Sequence, residues 1–600
     1  MMQRTLRSTL AVCLLGCFLL PVGGCRGGIK SLWAKFHHRR SKSKPNTTDY
    51  ADNIESLVTS GRVPIMRWVS FAPMQEQVQQ FYDGRNYELA WTRDGQPTEA
   101  AQSLMQMFSN AAQKGLVPAD YDADRWAGRV QQLQQIAKKN DTSDDAQNAI
   151  ADFDVAMTVA AMRYVSDLHF GRVNPQALNF DINVPARRAQ FDLAGFVDQL
   201  VDADDIPGTL ARLEPDSPMY KATEEALPKY IQLAQQQAAN PPQPLPAVDK
   251  PVSKGRSYPA LPQLWARLQL EGDAPADAPT PTRFSSDVED ALKHYQQRNG
   301  LTDDGKLTQA TIDAMNVPMS RRVQQIDDAL ERWRWLPENF QQPRVLVNLP
   351  EFMLRAYDED HNLAFKMKVI DGEAEGNHDT PMFVRTMRYV IFRPYWNIPV
   401  SIVKKELAKH LEKSGNAYLE RNDYEVVKGK EPVTKWTLAD LEQGRYVVRQ
   451  KPGPKNSLGL VKFMFPNEYD IYMHSTPEMH LFNLTRRDRS HGCVRLNDAE
   501  QMANWVLDGQ GDWDQDKIHE AMFGGADGTP ADDNKLVNLK TPLTVNLTYL
   551  TANADEDGTM HFFADIYGYD QQLEAALAKG RPYPEQPVKI NPKLTPGETE

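Results

Sequence analysis

The sequence predicts a multidomain α+β protein in which helical units precede a mostly-β domain. Three observations support this class. The chain has 600 residues, about four times the length of a typical domain. Residues 64–237 carry apolar side chains at helical spacing, as in 101–112 and 149–165. From Arg344 the apolar pattern changes to a period of two, which is typical of strands separated by turns.

The composition is that of a globular protein. Hydrophobic residues make up 41% and charged residues 25% of the chain, which excludes wholesale disorder, collagen and a polytopic membrane protein. The net charge of -12 argues against a general nucleic-acid binder, because such a protein needs a basic face. Only four cysteines occur, so a disulfide-stapled scaffold is excluded as well.

The N-terminus has the features of an export signal. Two arginines precede an apolar run over 10–20, which is shorter than the ~20 residues of a membrane-spanning helix. The following Val22-Gly23-Gly24-Cys25 resembles a bacterial lipobox, in which the cysteine is lipidated and becomes the mature N-terminus. We therefore predict a signal peptide over 1–24 and lipidation of Cys25; an ordinary cleaved signal and an uncleaved anchor are the alternatives.

A basic, flexible stalk is predicted over 25–65. Residues 26–44 contain seven lysines and arginines, which either lie on anionic headgroups or are simply solvated. A helical scaffold domain is predicted to follow over 66–275. Its proline-rich segment near 239–260 is typical of an extended spacer.

A small helical module is predicted over 280–318. Ser286 and Glu289 have the spacing of a capping box, Gly300 can end that helix, and Thr308 can cap a second one. Its pattern resembles the small peptidoglycan-binding module of cell-wall enzymes; a helical hairpin without a ligand is the alternative. A connector over 319–340 follows.

The last predicted domain, over 343–570, is mostly β. A helical and charged insertion at about 401–445 interrupts its strands and is expected to cap a site on the sheet. The proline- and charge-rich residues 571–600 are predicted to form a loose tail.

The chemistry is expected around Cys493, the only thiol that remains once the predicted signal and lipidated cysteine are set aside. A cysteine attacks acyl carbons as a thiolate, and a nearby imidazole lowers its pKa and accepts the proton. Two antiparallel strands joined by 475–489 would bring His474 to Cys493. The N–H groups of Gly492 and Cys493 are candidates for holding an oxyanion, and Tyr472 shares the strand face of His474 and can border the pocket.

Two alternatives to a nucleophilic thiol were considered. A buried inert cysteine is common, but the neighbours of Cys493 are polar. A zinc site would require four side chains to converge from a strand, a loop and a turn. Those four are His474, His480, His491 and Cys493. The nucleophile is favoured over the metal, and no cofactor is predicted.

These residues resemble the motif of the L,D-transpeptidase (YkuD-type) family, which pairs a histidine with a later Ser/Thr-His-Gly-Cys and an arginine. The resemblance implies that His474 is the general base and Cys493 the nucleophile, within a pocket formed by Ser490, His491, Gly492 and Arg495. Further family blocks are 379–381 and 395–399. With 331–337, the domain order resembles the long YcbB-type members, which implies that 261–270 and 321–336 complete the scaffold.

The resemblance implies a reaction on peptidoglycan stem peptides. Cys493 would attack the amide before the terminal D-alanine of a tetrapeptide donor and form a thioester with diaminopimelate. The diaminopimelate amine of an acceptor stem would then make a direct cross-link. Alternatives are a carboxypeptidase or hydrolase with the same Cys–His site, and a non-catalytic lipoprotein that tethers membrane to wall.

The predicted export signal and the family resemblance together imply a location and partners. The protein is expected in the periplasm, anchored by lipid to the inner or outer membrane. Stem peptides are the expected partners, and other wall-synthesis enzymes are further candidates.

Overall fold

A computed structural model describes residues 50–178, 180–376 and 378–583. The predicted signal peptide, the lipidation site at Cys25, residues 26–49 of the predicted stalk and residues 584–600 of the predicted tail lie outside the described residues. Within the described part, no helix has both the length and the apolar character needed to cross a bilayer.

The first region is helical and is organised around one long, buried helix. Its helices are α1 (Tyr50–Ser60), α2 (Gln75–Gly84), α3 (Glu99–Ser109), α4 (Trp126–Lys139), α5 (Asp144–Phe170), α6 (Val184–Arg188), α7 (Leu193–Val201), α8 (Ile206–Ala211) and α9 (Pro218–Ala239), with a short hairpin of β1 (Thr92–Arg93) and β2 (Gln96–Pro97). Helix α5 begins after Ser143, whose side chain accepts a hydrogen bond from Ala146 N–H. It is apolar on most sides and is therefore surrounded by other helices, among them α1, α4 and α7.

The helical region begins earlier than the sequence suggested. Helix α1 lies within the predicted stalk, yet Ile54 and Val58 are buried in the same core as α5. The basic run at 26–44 dominated the prediction, whereas the apolar pair four residues apart decides the structure of 50–60.

The small module contains α10 (Leu261–Glu271), α11 (Ser286–Arg298) and α12 (Gln309–Met315). Helix α10 was expected to complete the scaffold, but Trp265 packs with Leu292 in the module's own core. The proline-rich segment is not a free spacer either: Leu245 and Tyr258 are 3% and 5% exposed in that core. Two short helices bury too little apolar surface alone, and these segments supply the rest.

The predicted caps of the module were partly right. Thr308 accepts a hydrogen bond from Thr311 N–H at 3.2 Å, as predicted. The Ser286–Glu289 capping box was wrong, since the N-cap is Ser285 and its side chain makes no capping bond. Gly300 follows α11 with a φ of 61°, which suits a residue without a side chain.

Helix α13 (Met319–Trp335) joins the helical region to the rest of the chain. It packs against α9, and Glu331 accepts backbone N–H bonds from Arg172 at 2.5 Å and Val173 at 3.0 Å. Arg332 forms a buried ion pair with Asp570 at 2.7 Å. The 319–340 segment therefore contacts both the helical region and the C-terminal domain.

The C-terminal domain is built on strands. Its strands and helices are β3 (Val345–Asn348), β4 (Met353–Tyr357), β5 (Leu363–Gly372), β6 (Phe383–Phe392), β7 (Trp396–Asn397), α14 (Val400–Ile402), α15 (Ala408–Ser414), α16 (Asn416–Arg421), β8 (Tyr424–Lys428), β9 (Glu431–Pro432), α17 (Leu438–Glu442), β10 (Val447–Gln450), β11 (Val461–Met464), β12 (Met473–His474), β13 (Asp488–Ser490), β14 (Val494–Leu496), α18 (Ala499–Leu507), α19 (Gln515–Phe523), β15 (Lys535–Thr548), β16 (Ala552–Ala554), β17 (Met560–Phe562) and α20 (Tyr569–Leu577). The main sheet has the order β13-β5-β14-β12-β11-β6-β15-β3-β4, and β4 also pairs with β5. That extra pairing closes the sheet into a barrel and leaves fewer free edges.

The insertion is a small folded unit of its own. Strands β7, β10, β8 and β9 form a second sheet, and a π-helix over Val403–Leu407 lies between α14 and α15. Ile402, Leu411 and Val448 belong to its separate apolar core. The insertion was expected to be helical over 401–445, but it contains four strands and extends from Trp396 to Gln450, because short alternating segments such as Tyr424–Lys428 pair with its flanks.

The end of the described chain is ordered. Helix α20 and the residues after it were predicted as part of a loose tail, yet Tyr583 is 8% exposed. The Tyr583 hydroxyl donates to Asp120, and Arg581 forms an ion pair with Asp167. Both partners lie in the helical region, so tertiary contacts order a segment whose composition suggested disorder.

Candidate active site

The candidate site lies where β12 and β14 run side by side. The two strands are parallel, with Met473 opposite Val494 and His474 opposite Arg495. The expected antiparallel arrangement was wrong. Residues 475–493 include a 3₁₀ turn over Met479–Asn483 and strand β13, which pairs with β5, so the chain crosses over before it returns. A crossover of this length is what parallel strands require.

Five polar side chains share one face of these strands. Because alternate residues point to the same side, the register places Tyr472 and Cys493 beside His474 and Arg495. The next strand, β11, pairs Lys462 with His474 and adds the lysine to this face. The structure thus brings together the sequence-predicted Tyr472, His474, Cys493 and Arg495.

His474 is held in one tautomer. Its ring is 4% exposed, and Nδ1 lies 2.6 Å from the carbonyl oxygen of Ser475. A carbonyl only accepts hydrogen bonds, so Nδ1 carries the proton and Nε2 is the unprotonated nitrogen of the neutral ring. Burial, followed by the nearby Arg495 guanidinium, lowers the pKa of His474 to about 3. The ring is therefore a neutral base at ordinary pH.

Cys493 is also neutral in this state. The residue is half-buried, and its Sγ donates to the carbonyl oxygen of Asp470 at 3.6 Å. Burial raises the pKa of the thiol to about 11, against the smaller lowering effects of hydrogen bonds from Tyr472 and of the Lys462 charge. The sequence predicts a thiolate stabilised by imidazole, whereas burial shifts both pKa values toward a thiol and a neutral imidazole.

The turn before Cys493 is fixed by hydrogen bonds. Ser490 Oγ donates to Cys493 O at 2.6 Å and accepts from Gly492 N–H at 3.1 Å, while Thr380 Oγ1 donates to Gly492 O at 2.7 Å. Gly492 has a φ of 123°, which side-chain-bearing residues rarely adopt. Gly492 was predicted to donate its N–H to an oxyanion, but Ser490 already accepts that N–H. The Cys493 N–H is therefore the better candidate for the oxyanion donor.

His491 faces the insertion rather than the thiol. Its Nε2 lies 2.5 Å from Oε1 of Glu406 in the π-helix, and its ring packs edge-on against His378 at 5.1 Å between centroids. His491 therefore connects the turn before Cys493 to the insertion. Arg495 makes an ion pair with Glu478 at 2.5 Å.

The four proposed zinc ligands do not form a cluster. His480 is exposed in the 3₁₀ turn, and among the described residues the ligand atoms of His474, His480, His491 and Cys493 are not grouped within 4.8 Å of one another. An acidic group of that kind does occur at Asp328, Asp570 and Glu574, where Arg321 and Arg332 pair with two of the three carboxylates.

Three residues of the site were missed by sequence reasoning. Lys462 could have been found as the only charged residue in the strand Val461–Met464. Thr380 lies in a block noted for its family resemblance, but its bond to Gly492 requires the fold. Glu406 is one of many charged residues in the insertion, and nothing local distinguishes it.

Comparisons with known domains match three parts of the chain. Residues 342–525 match the model of the L,D-transpeptidase catalytic domain, YkuD. Residues 257–315 match a peptidoglycan-binding domain model, and residues 76–227 match a scaffold domain model. The order of the three agrees with the predicted order of scaffold, binding module and catalytic domain.

The chain was also compared with a curated protein and with a solved structure. A Haemophilus influenzae protein provisionally named L,D-transpeptidase is 28% identical over 322 residues, which cover 52% of this chain and 62% of that protein. The chain thus spans under two thirds of this relative's length. The crystal structure of residues 123–326 of an L,D-transpeptidase from Xylanimonas cellulosilytica has 16% identity and a TM-score of 0.16, over 50% of this chain and all of that one.

Proposed function

We propose, from a chain that contains a YkuD-type L,D-transpeptidase catalytic domain, a peptidoglycan-binding domain and a scaffold domain, that this protein cross-links peptidoglycan stem peptides. Cys493 is the nucleophile and His474 the general base and acid. The observation that carries the proposal is the shared face of β12 and β14, where the basic Nε2 of His474 and the thiol of Cys493 belong to neighbouring strands.

The first half-reaction forms a thioester. The neutral thiol loses its proton to His474 Nε2 as sulfur attacks the carbonyl carbon of diaminopimelate. The imidazolium then gives the proton to the leaving nitrogen, the C–N bond breaks, and D-alanine departs. Because both groups start neutral, neither the thiol nor the imidazole is held as a buried ion before substrate arrives.

The tetrahedral intermediate requires a donor for its oxyanion. The Cys493 N–H is the backbone amide next to the attacked carbon, and the Ser490–Gly492 and Thr380–Gly492 bonds hold its turn in place. A rigid donor of this type lowers the barrier more than a mobile one, since it needs no reorganisation during the reaction.

The second half-reaction consumes the thioester. The side-chain amine of an acceptor diaminopimelate attacks it, His474 accepts a proton from that amine, and the thiol is restored as the direct cross-link forms. If water attacks instead, the same site gives a shortened stem peptide and the enzyme is a carboxypeptidase. No cofactor takes part in either step.

The proposed location and partners follow from the N-terminal motif and the binding module. We propose that the chain acts in the periplasm, that Cys25 carries the lipid anchor, and that the binding module holds the wall near the site. Labelling with an alkyne fatty acid, with Cys25→Ala as control, tests the anchor.

Analysis of muropeptide products by mass spectrometry tests the proposed function. Incubation of the full chain with tetrapeptide fragments is expected to give dimers with loss of D-alanine, and Cys493→Ala is expected to give none. Tripeptide alone would favour the hydrolase, and unchanged tetrapeptide with intact, folded protein would favour the tethering lipoprotein.

A further inference from the structure

A lysine lies on the catalytic face beside the proposed base. Lys462 is directly opposite His474 in the β11–β12 pairing, and its Nζ is 5.1 Å from the centroid of the Tyr472 ring. Tyr472 and Cys493 share the face of β12 and β14, and the two side chains interact electrostatically. The ammonium group and the thiol therefore both lie beside the Tyr472 side chain.

This lysine has no counter-ion among the residues that the structure describes. In the described chain, no carboxylate oxygen lies within the 4.0 Å of an ion pair from Lys462 Nζ, whereas Arg495 on the same face is paired with Glu478 at 2.5 Å. Asp470 and Cys493 are the groups whose charge would support the ammonium, and burial outweighs them and lowers the pKa of Lys462. An unpaired, half-buried cation is costly for a fold to keep unless a ligand uses it.

We propose that Lys462 binds the free carboxylate of the residue that leaves the donor peptide, so that the site selects peptides that end directly after the cleaved amide. This inference rests on the proposed function and specifies the substrate end that it requires. For a tetrapeptide donor, that group is the carboxylate of the terminal D-alanine.

The size of a single amino acid suits this position. The carboxylate carbon of a terminal residue lies about 3–4 Å from the preceding carbonyl carbon, by ordinary backbone dimensions. A carboxylate bound to Lys462 would thus hold the scissile carbonyl within one residue of the lysine, on the face that also carries the Cys493 thiol. Lys462 keeps its proton throughout; the thiol proton still passes through His474 to the leaving nitrogen, and the carboxylate leaves with D-alanine.

Bound carboxylate would also change the field at the catalytic pair. Lys462 and Arg495 both help to keep the pKa of His474 low. An anion beside Lys462 offsets part of that repulsion and makes His474 easier to protonate at the moment of attack. A donor lacking the carboxylate would lose both the contact and this effect.

Two matched donors test the proposal with the full chain. One is the tetrapeptide with its free C-terminal carboxylate, and the other is the same peptide as the C-terminal carboxamide. Release of D-alanine or D-alaninamide gives kcat/KM for wild type, Lys462→Met and Lys462→Arg. Lys138→Met, on an exposed position of α4 in the helical region, is the matched control.

Wild type is expected to prefer the carboxylate donor by about 10- to 100-fold, the usual range for a hydrogen bond to a charged group. Lys462→Met should abolish the preference by lowering the rate with the carboxylate donor far more than the rate with the carboxamide donor. Lys462→Arg should restore part of it, and the Lys138→Met control should match wild type.

Several outcomes would overturn the proposal. Equal wild-type rates with both donors would do so, and this comparison needs no variant to fold. An equal loss with both donors in Lys462→Met, with a shifted pH profile of thiol alkylation, would show that the lysine acts on the thiol instead. If wild type releases nothing from either donor while iodoacetamide still alkylates Cys493, the proposed function itself fails.

Discussion

The joint made by α13 and the catalytic face both bury ionisable groups, but they treat charge in opposite ways. At the joint, Glu331 pairs with Arg172 at 3.1 Å and Arg332 pairs with Asp570 at 2.7 Å. On the catalytic face, Lys462 has no carboxylate partner in the described chain. The joint satisfies its charges within the protein, whereas the catalytic face leaves a charge available to a ligand.

The pKa shifts follow the same division. Burial raises the pKa of Glu331, but Arg172 and backbone N–H groups outweigh it and hold the pKa below its usual value. Burial lowers the pKa of His474 to about 3 and raises the pKa of Cys493 to about 11, and both shifts favour the neutral forms. Partners thus stabilise charge at the joint, whereas burial favours the neutral forms of His474 and Cys493, the proposed catalytic pair.

The largest expected effect is the loss of activity when the proposed nucleophile is removed. Cys493→Ala should lower cross-linking and acylation by a carbapenem by at least about 10³-fold, since the covalent step has no substitute. The melting temperature should change little, because the thiol is only half-buried. Mass spectrometry of the adduct and calorimetry give the two readouts. Full activity in this variant would remove the nucleophile assignment.

The converse test weakens the ion pairs at α13 and leaves the residues around Cys493 unchanged. Glu331→Gln removes one partner of a buried ion pair and should destabilise the fold by about 3–5 kcal/mol. Activity per folded molecule should stay close to wild type at low temperature. Urea unfolding is the measurement, with the exposed Glu359→Gln as control. Lost activity at unchanged stability would mean that the joint controls the site directly.

The pH dependence of acylation tests whether burial keeps His474 neutral. His474 faces Lys462, Tyr472, Cys493 and Arg495, and its lowered pKa keeps it unprotonated until the pH falls toward about 3. Acylation should therefore change less than about twofold from pH 7 to pH 5, whereas a base with the ordinary pKa of ~6.5 would lose more than tenfold. An acid limb near pH 6.5 would contradict the assignment.

Thiol alkylation by iodoacetamide gives the alkaline side of the same test. The rate should rise with pH toward a midpoint near the Cys493 pKa of about 11, well above the ~8.5 of a free cysteine. His491→Ala should leave this midpoint in place, because His491 faces Glu406. A midpoint below 8 would restore the thiolate–imidazolium pair expected from the sequence.

The smallest expected effect is on the stability of the contact between the insertion and His491. Glu406→Gln weakens a hydrogen bond to His491 in which the two side chains are 50% and 39% exposed, so the expected loss is under about 1 kcal/mol. Hydrogen exchange over 403–407 should become faster, while Lys409→Gln, an exposed position in the next helix, should not change it. Protection that is equal with and without a carbapenem adduct would show that the cap does not respond to substrate.

Much of the architecture was predictable. Helical spacing identified the scaffold region, and the period of two after Arg344 identified the barrel strands. The order of scaffold, peptidoglycan-binding and catalytic domains is confirmed by the domain matches. These features depend on local periodicity and short motifs, which a single chain displays directly.

The errors share a different cause. The direction of β14 relative to β12, the packing of α10 in the module and the ordering of Tyr583 all depend on residues far away in sequence. The assignment of Gly492 as an oxyanion donor failed for the same reason, since the Ser490 side chain takes its N–H. Composition carries little information on such contacts.

By itself the sequence determined which groups could do chemistry: a thiol at Cys493, a histidine at His474 and the glycine turn between His491 and Cys493. The tertiary structure decided their state. It set the parallel register that places them on one face, added Lys462 from a third strand, and buried the pair so that both are neutral. Residue identity fixes what can ionise, but burial and neighbouring charge fix whether it does.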